Sequence, residues 1–194
     1  GIENLYYMTG DKADNHKTYS EVQASSIFNM YDEKANTDNS NKVYHSKNDY
    51  RFWNNCYEVG SEEATALYIR KMIGSHRLTI SVDSKAGEER STLRSFSDFR
   101  QNWIVYRLTD VMLMKAEALV QLAASDEDVN LTKAFNLVQV VNKRSMASSA
   151  TDTLKVTDFK TVDEMEKLVL AERERELCFE GKRWFDLVRY CYRH

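Results

Sequence analysis

Not one of the 194 residues is proline, so proline-framed turns, polyproline segments and slow X-Pro isomerisation are all excluded. Links between elements must be read from Gly, Asn, Asp and Ser instead. Glycine is scarce too, at 6 residues, and no G-x-x-x-x-G-K or G-x-G-x-x-G run offers a phosphate-cradling loop. A G-x-S-x-G elbow, the usual setting of a hydrolase nucleophile, is also missing. The 3 cysteines, Cys56, Cys178 and Cys191, are odd in number and lack C-x-x-C spacing, so neither a disulfide framework nor a zinc site follows. Cys178 and Cys191 read as buried, inert thiols, with a bridge between them left open. The histidines, His16, His45, His76 and His194, stand isolated, without an H-E-x-x-H pattern. No metal or other cofactor is implied. Long apolar runs are absent as well, so no segment reads as a membrane-spanning helix, and Gly1-Ile2-Glu3-Asn4 has no signal-peptide pattern. A net charge of −3 with interspersed signs gives no basic stripe, which argues against nucleic acid or an anionic membrane surface as a partner.

What is present divides into two regimes. Residues 1–100 are polar and irregular, and Asp32 to Asn48 is nearly devoid of apolar groups, which reads as loop. Within this region Glu21–Tyr31 and Thr65–Ile73 are candidates for short strands or helices, and Arg77–Val82 alternates as a half-buried strand does. Residues 101–194 have helical periodicity. Ile104, Leu108, Val111, Met112, Leu119 and Val120 predict one face of a first helix ending near Ser125, and Leu131, Phe135, Val138 and Asn142 predict a second. Ala147–Phe159 reads as a linker. Thr161-Val162-Asp163-Glu164 is a capping box that starts a third helix, with Met165, Leu168, Val169 and Leu177 on its apolar side and Gly181 at the left-handed stop position. Beyond Gly181, the residues Trp184, Leu187, Val188 and Cys191 at i, i+3, i+4 and i+7 make an apolar stripe, which assigns Trp184 to the core along with Trp103. Short links between such helices imply antiparallel hairpins.

Between the last two helices lies Glu172 to Arg189, where charge is dense. Glu172 with Arg175 and Arg173 with Glu176 sit one turn apart, and such pairs are worth about 0.2–0.5 kcal/mol each when exposed. Glu172 and Glu176 also share a helix face, the arrangement a glycosidase acid and base would need. The interleaved arginines neutralise that face, so a solvated face or a set of scaffold ion pairs is the better reading.

The run Glu-Arg-Glu-Arg-Glu-Leu-Cys-Phe-Glu-Gly-Lys-Arg-Trp-Phe-Asp-Leu-Val-Arg over residues 172–189 resembles the C-terminal signature of the SusD/RagB family, the surface glycan-binding lipoproteins of Bacteroidetes. Tyr106 to Leu119, reading Tyr-Arg-Leu-Thr-Asp-Val-Met-Leu-Met-Lys-Ala-Glu-Ala-Leu, is similar to a second family helix. Ala134 to Arg144, with Val140, Asn142 and Arg144, is similar to a third, and Asn48 to Phe52 resembles a further Asp-x-Arg element. The resemblance implies a mainly α fold of tetratricopeptide-like antiparallel helical hairpins with an irregular, loop-rich region and little β. It also implies a non-catalytic binder of oligosaccharide or polysaccharide at the outer membrane, acting with a SusC-like TonB-dependent transporter and held by an N-terminal lipid anchor that this chain does not contain. The chain is expected to be the C-terminal portion of such a protein, with surfaces that further helices would cover.

Sugars offer flat C–H faces to aromatic rings and hydroxyls to amides and charges. Asp49-Tyr50-Arg51-Phe52-Trp53-Asn54-Asn55 has that composition. It predicts Trp53 and Tyr50 as stacking rings and Asp49, Arg51 and Asn54 as hydrogen-bonding partners. The competing reading is that Phe52 and Trp53 only anchor a long loop. Two other functions stay open at this stage: a helical scaffold for a protein partner with no sugar site, and a helical glycoside hydrolase.

Overall fold

A computed structural model describes residues 23–24, 42–46, 48–59, 66–69, 71, 104–146, 150 and 153–194. The predicted strand at 77–82, the side chains of Trp53 and Trp103, and His16 and His76 lie outside the described residues. The chain forms two compact units, one of residues 1–102 with 147–149, the other of residues 103–146 and 150–194.

In the first unit, strand β1 (Gln23–Ala24) is followed by helix α1 (Tyr50–Asn55), strand β2 (Cys56–Val59) and strand β3 (Ala66–Ile69). The strands make one antiparallel sheet in the order β1-β3-β2, with Cys56 opposite Ile69 and Gln23 opposite Tyr68. Val43, Tyr44, Tyr50, Phe52 and Ile69 are buried here. Part of the stretch from Asp32 to Asn48 thus supplies core rather than loop alone.

The second unit is helical, with α2 (Leu108–Gln121), α3 (Val129–Ser145), a 3-10 turn at Val156–Asp158, α4 (Val162–Leu177) and α5 (Arg183–Arg193). The whole is mainly α, as the sequence implies. Leu113, Ala116 and Val120 of α2, Leu131, Ala134, Phe135, Val138 and Val141 of α3, and Met165, Leu168 and Val169 of α4 form one apolar core. Each buried aliphatic side chain contributes about 1.5–3 kcal/mol relative to exposure. Local chemistry sets the starts. The Asp128 carboxylate accepts from the Asn130 N–H at 2.8 Å to open α3, and the Thr161/Glu164 capping box opens α4 with both reciprocal bonds made. Among the described residues no helix is long and apolar enough to cross a membrane.

Several expectations are corrected. The buried face of α2 is Thr109, Asp110, Leu113, Ala116, Glu117 and Val120, while Leu108 is 74% exposed and Val111 is open to solvent. Two buried carboxylates on the inner face displaced the apolar pattern. Helix α4 ends at Leu177 with Cys178 as its C-cap, so the position after the cap belongs to Phe179, with φ 65°, and Gly181, with φ 72°, sits two residues beyond it rather than at it. Phe179 adopts a left-handed backbone at a cost of about 1–2 kcal/mol. Helix α5 is reversed relative to expectation: its one buried residue is Asp186, and Trp184 is 71% exposed. Cys178 is buried as predicted, but Cys191 is exposed, and no disulfide joins the two.

Candidate functional site

The predicted sugar platform is a short helix and its lead-in. Asp49 precedes α1, and its carboxylate accepts from the Arg51 backbone N–H at 2.9 Å, as a short side chain does when it closes the first turn. The same carboxylate receives the Arg51 guanidinium through Nε at 2.9 Å and Nη2 at 2.7 Å. Both residues are buried. This bidentate pair is the strong form of an ion pair. Tyr50 is buried beside it, and Asn54, half-buried, donates from Nδ2 to the Tyr50 carbonyl at 2.8 Å. Phe52 packs edge-on against Tyr44 with ring centroids 5.9 Å apart, and the Tyr44 hydroxyl accepts from Asn55 Nδ2 at 2.9 Å. Asp49, Arg51, Tyr50 and Asn54 are therefore brought together in one short segment. Trp53 lies on α1 between them in sequence, its side chain outside the described residues.

A second constellation, in the helical unit, was not foreseen as a cluster. Arg173 of α4 is buried and meets Asp110 of α2 at 3.2 Å and Asp186 of α5 at 2.9 Å, with Glu117 at 3.9 Å. It does not make the predicted pair with Glu176. Glu117 receives Arg189 at 2.9 Å and Arg193 at 3.0 Å, and Arg193 also reaches Glu166 at 2.7 Å. Burial alone would push the Glu117 carboxyl up, but Arg189, Arg193 and Arg173 outweigh it and hold the group below the usual carboxylate range. The hydrogen bond to Glu117, joined by Asp186, raises the Arg189 guanidinium despite desolvation.

Nearer the other end of the same face, Glu176 receives Arg107 and Arg144, each at 2.5 Å, and Glu180 receives Arg107 at 2.8 Å. Burial works against the charge of Arg107, yet Glu180 and Glu176 keep its pKa raised. Glu172, fully buried, accepts from Arg175 at 2.9 Å and from Asn142 Nδ2 at 3.3 Å. The Glu172–Arg175 pair is thus present as predicted, but inside the molecule rather than on a solvated face. Glu172 and Glu176, the carboxylates considered as an acid and base, are both buried against arginines.

Sequence reasoning missed Arg107, Asp110, Glu117 and Glu166 as members of this network. The available signal was the polar residue at core spacing on α2, since Asp110, Leu113, Ala116, Glu117 and Val120 share one face. The network joins the separate stretches that carry the family resemblance: Arg107, Asp110 and Glu117 from the first, Asn142 and Arg144 from the next, and Glu172 to Arg189 from the last. Among the described residues no cluster of His, Cys, Asp or Glu is arranged to hold a metal ion.

Comparison with known proteins agrees with that pattern. The SusD family profile matches residues 4–194. SusD-like protein P38 of Formosa agariphila is 32% identical over 162 residues, covering 82% of this chain and 27% of that protein. SusD-like protein P2 of the same organism is 32% identical over 89 residues, covering 45% of this chain and 17% of that protein. The matched regions thus span about a quarter or less of these relatives' lengths. No solved structure matches the chain. With a family profile matched over residues 4–194 and the resembling stretches tied together by ion pairs, this chain belongs to the SusD family.

Proposed function

We propose that this chain is part of a non-catalytic glycan-binding protein of the outer-membrane surface, which captures oligosaccharide or polysaccharide and delivers it to a SusC-like TonB-dependent transporter. The observation that carries the reading is membership of the SusD family over residues 4–194. The fate of the carboxylates supports a binding rather than a hydrolytic role. A glycosidase needs two carboxyls facing a sugar, and here Glu172 and Glu176 are buried and occupied by Arg175, Arg107 and Arg144. Within the first unit, we propose Trp53 as the stacking ring, on a helix whose geometry is fixed by the Asp49–Arg51 pair. Tyr50 and Asn54 complete the segment, and Asp49, Arg51 and Asn54 remain the proposed polar partners of a bound sugar.

Affinity electrophoresis through gels containing plant, yeast and host polysaccharides, with Trp53→Ala run alongside, tests this. Retardation by one polymer, lost in the variant while its helical circular dichroism is kept, is the expected result. If no polymer retards a demonstrably helical sample, the sugar site is not in these residues. The burial of Asp49, Tyr50, Arg51 and Phe52 favours one second reading, in which this segment is a scaffold for the transporter and the glycan is held elsewhere in the protein.

A further inference from the structure

Helix α1 is 6 residues long, too short to hold its own shape in water, so its neighbours must fix its orientation. The chain leading into it turns at Ser46, whose carbonyl accepts from the Asp49 N–H at 3.1 Å and whose hydroxyl accepts from the Asn48 N–H at 3.1 Å. Beyond that turn Tyr44 lies back against the helix. It is fully buried and touches α1 twice: its ring meets Phe52 edge-on, and its hydroxyl accepts from Asn55 Nδ2 at 2.9 Å. Asn55 is in turn tied to the sheet, because its carbonyl accepts from the Lys71 N–H at 3.3 Å, just past β3.

Helical geometry turns these contacts into an orientation. At about 100° per residue, Arg51, Phe52 and Asn55 fall within about 100° of arc, and all three are buried. Position 53 falls about 100° round from Phe52 and about 160° from Asn55, clear of that clamped side. The Asp49–Arg51 pair holds the same side from the N-terminal end, so the helix is gripped along its length. Any rotation of α1 that moved position 53 would break the Tyr44–Asn55 bond and part the Tyr44 and Phe52 rings.

From this we infer that Tyr44 is the positioning residue of the sugar platform: it sets the orientation of α1, and through it the place of Trp53. The inference rests on the reading of α1 as a glycan-binding segment. Tyr44, being fully buried, acts through the helix rather than on the sugar. Burial alone would be served as well by phenylalanine, whereas the hydroxyl adds a directed bond to Asn55. The benefit is preorganisation. A helix held in its binding orientation has no ordering to undergo when sugar docks, while one free to swing spends part of its time in states that cannot bind, and its apparent affinity falls by that fraction.

Affinity electrophoresis of the chain through gels of soluble starch, xylan, yeast mannan and chondroitin sulfate gives a dissociation constant for any polymer that retards it. Tyr44→Phe keeps the ring against Phe52 and deletes the acceptor for Asn55, and should weaken that binding by about 3- to 10-fold, the worth of one net hydrogen bond. Tyr44→Leu gives up the ring contact as well and should weaken it further. In an Asn55→Ala background, Tyr44→Phe should cost nothing more. Circular dichroism and urea unfolding of each variant separate positioning from stability. A Tyr44→Phe chain with a lowered urea midpoint but unchanged affinity in its folded form shows a merely structural tyrosine and overturns the inference. Trp53→Ala divides this inference from the reading beneath it. Binding lost in Trp53→Ala but intact in folded Tyr44→Phe ends this inference alone; a parent that no polymer retards, or one bound as well after Trp53→Ala, ends the sugar-site reading and this inference with it.

Discussion

Arg173 is the residue on which the helical unit's electrostatics turn. Its guanidinium is buried among carboxylates from two other helices, Asp110 and Glu117 of α2 and Asp186 of α5, while the residue itself belongs to α4. Burying such a set is not a net gain by itself, since desolvation offsets much of the Coulombic attraction. Removing one member is another matter. Arg173→Met preserves volume but leaves Asp110 and Asp186, each 1% exposed, facing one another without their shared cation. The expected loss is about 3–5 kcal/mol of unfolding free energy, read as a lowered midpoint in urea. A variant within about 0.5 kcal/mol of the parent would mean that the network contributes nothing to the fold. Asp186 has some slack of its own, because its Oδ2 has no hydrogen-bond partner among the described residues. It accepts at Oδ1 from Arg173 and Arg189, so the variant leaves it with Arg189 as its remaining cation.

At the scale of elements, the start of α4 was the most legible feature and the helix faces the least. The capping box at Thr161 and Glu164 is a local pattern with a local consequence, and it is formed as the sequence predicts. The stripe on α5 is equally plain in sequence, but periodicity reports only that two faces differ, not which of them meets the core. The answer depended on Arg173 and Glu117 lying opposite, a fact held in other elements. The same cause misdirected α2, where the apolar face was drawn through Leu108 and Val111 and the inner face carries Asp110 and Glu117. For the segment from Asp49 to Asn54, composition indicated rings beside polar groups, but could not say that Asp49 and Arg51 would bind each other first.

Because α5 is held by charge, its attachment should respond to pH. The groups that face it are Glu117 and Asp110 of α2, Glu166, Arg173 and Glu174 of α4, and its own Asp186, Arg189, Arg193 and His194, with Lys182 at the turn. Arg189, Arg193 and Arg173 hold the Glu117 carboxyl, despite its burial, below the ordinary glutamate value, about 4.3. Its contribution is therefore complete above that value and is lost as pH falls through the lower folded one. Hydrogen exchange across Arg183–Arg193 should accelerate below about pH 4.5 before the α2–α4 core opens. In Glu117→Gln the exchange should be faster at neutral pH and flatter with acid. Uniform opening of all four helices on acidification would instead show that α5 has no separate latch.

For the molecule as a whole, the division into two units has an energetic counterpart. Every member of the apolar core, from Leu113 to Val169, lies in the helical unit, and so does every ion pair of the arginine network described above. The first unit has its own small sheet and its own buried rings, Tyr44, Tyr50 and Phe52. We propose that the domain boundary falls near residue 100, and that residues 101–194 carry the information for their own fold. An isolated helix of the length of α5 is marginal in water, so helicity in that fragment would report tertiary packing rather than propensity. Expressed alone, residues 101–194 should give helical circular dichroism that melts in a single cooperative transition, with the Arg173→Met effect of the full chain reproduced. Helicity without cooperativity, or an Arg173→Met variant no less stable than the fragment, would mean that the core and its ionic girdle are completed only by residues before 101.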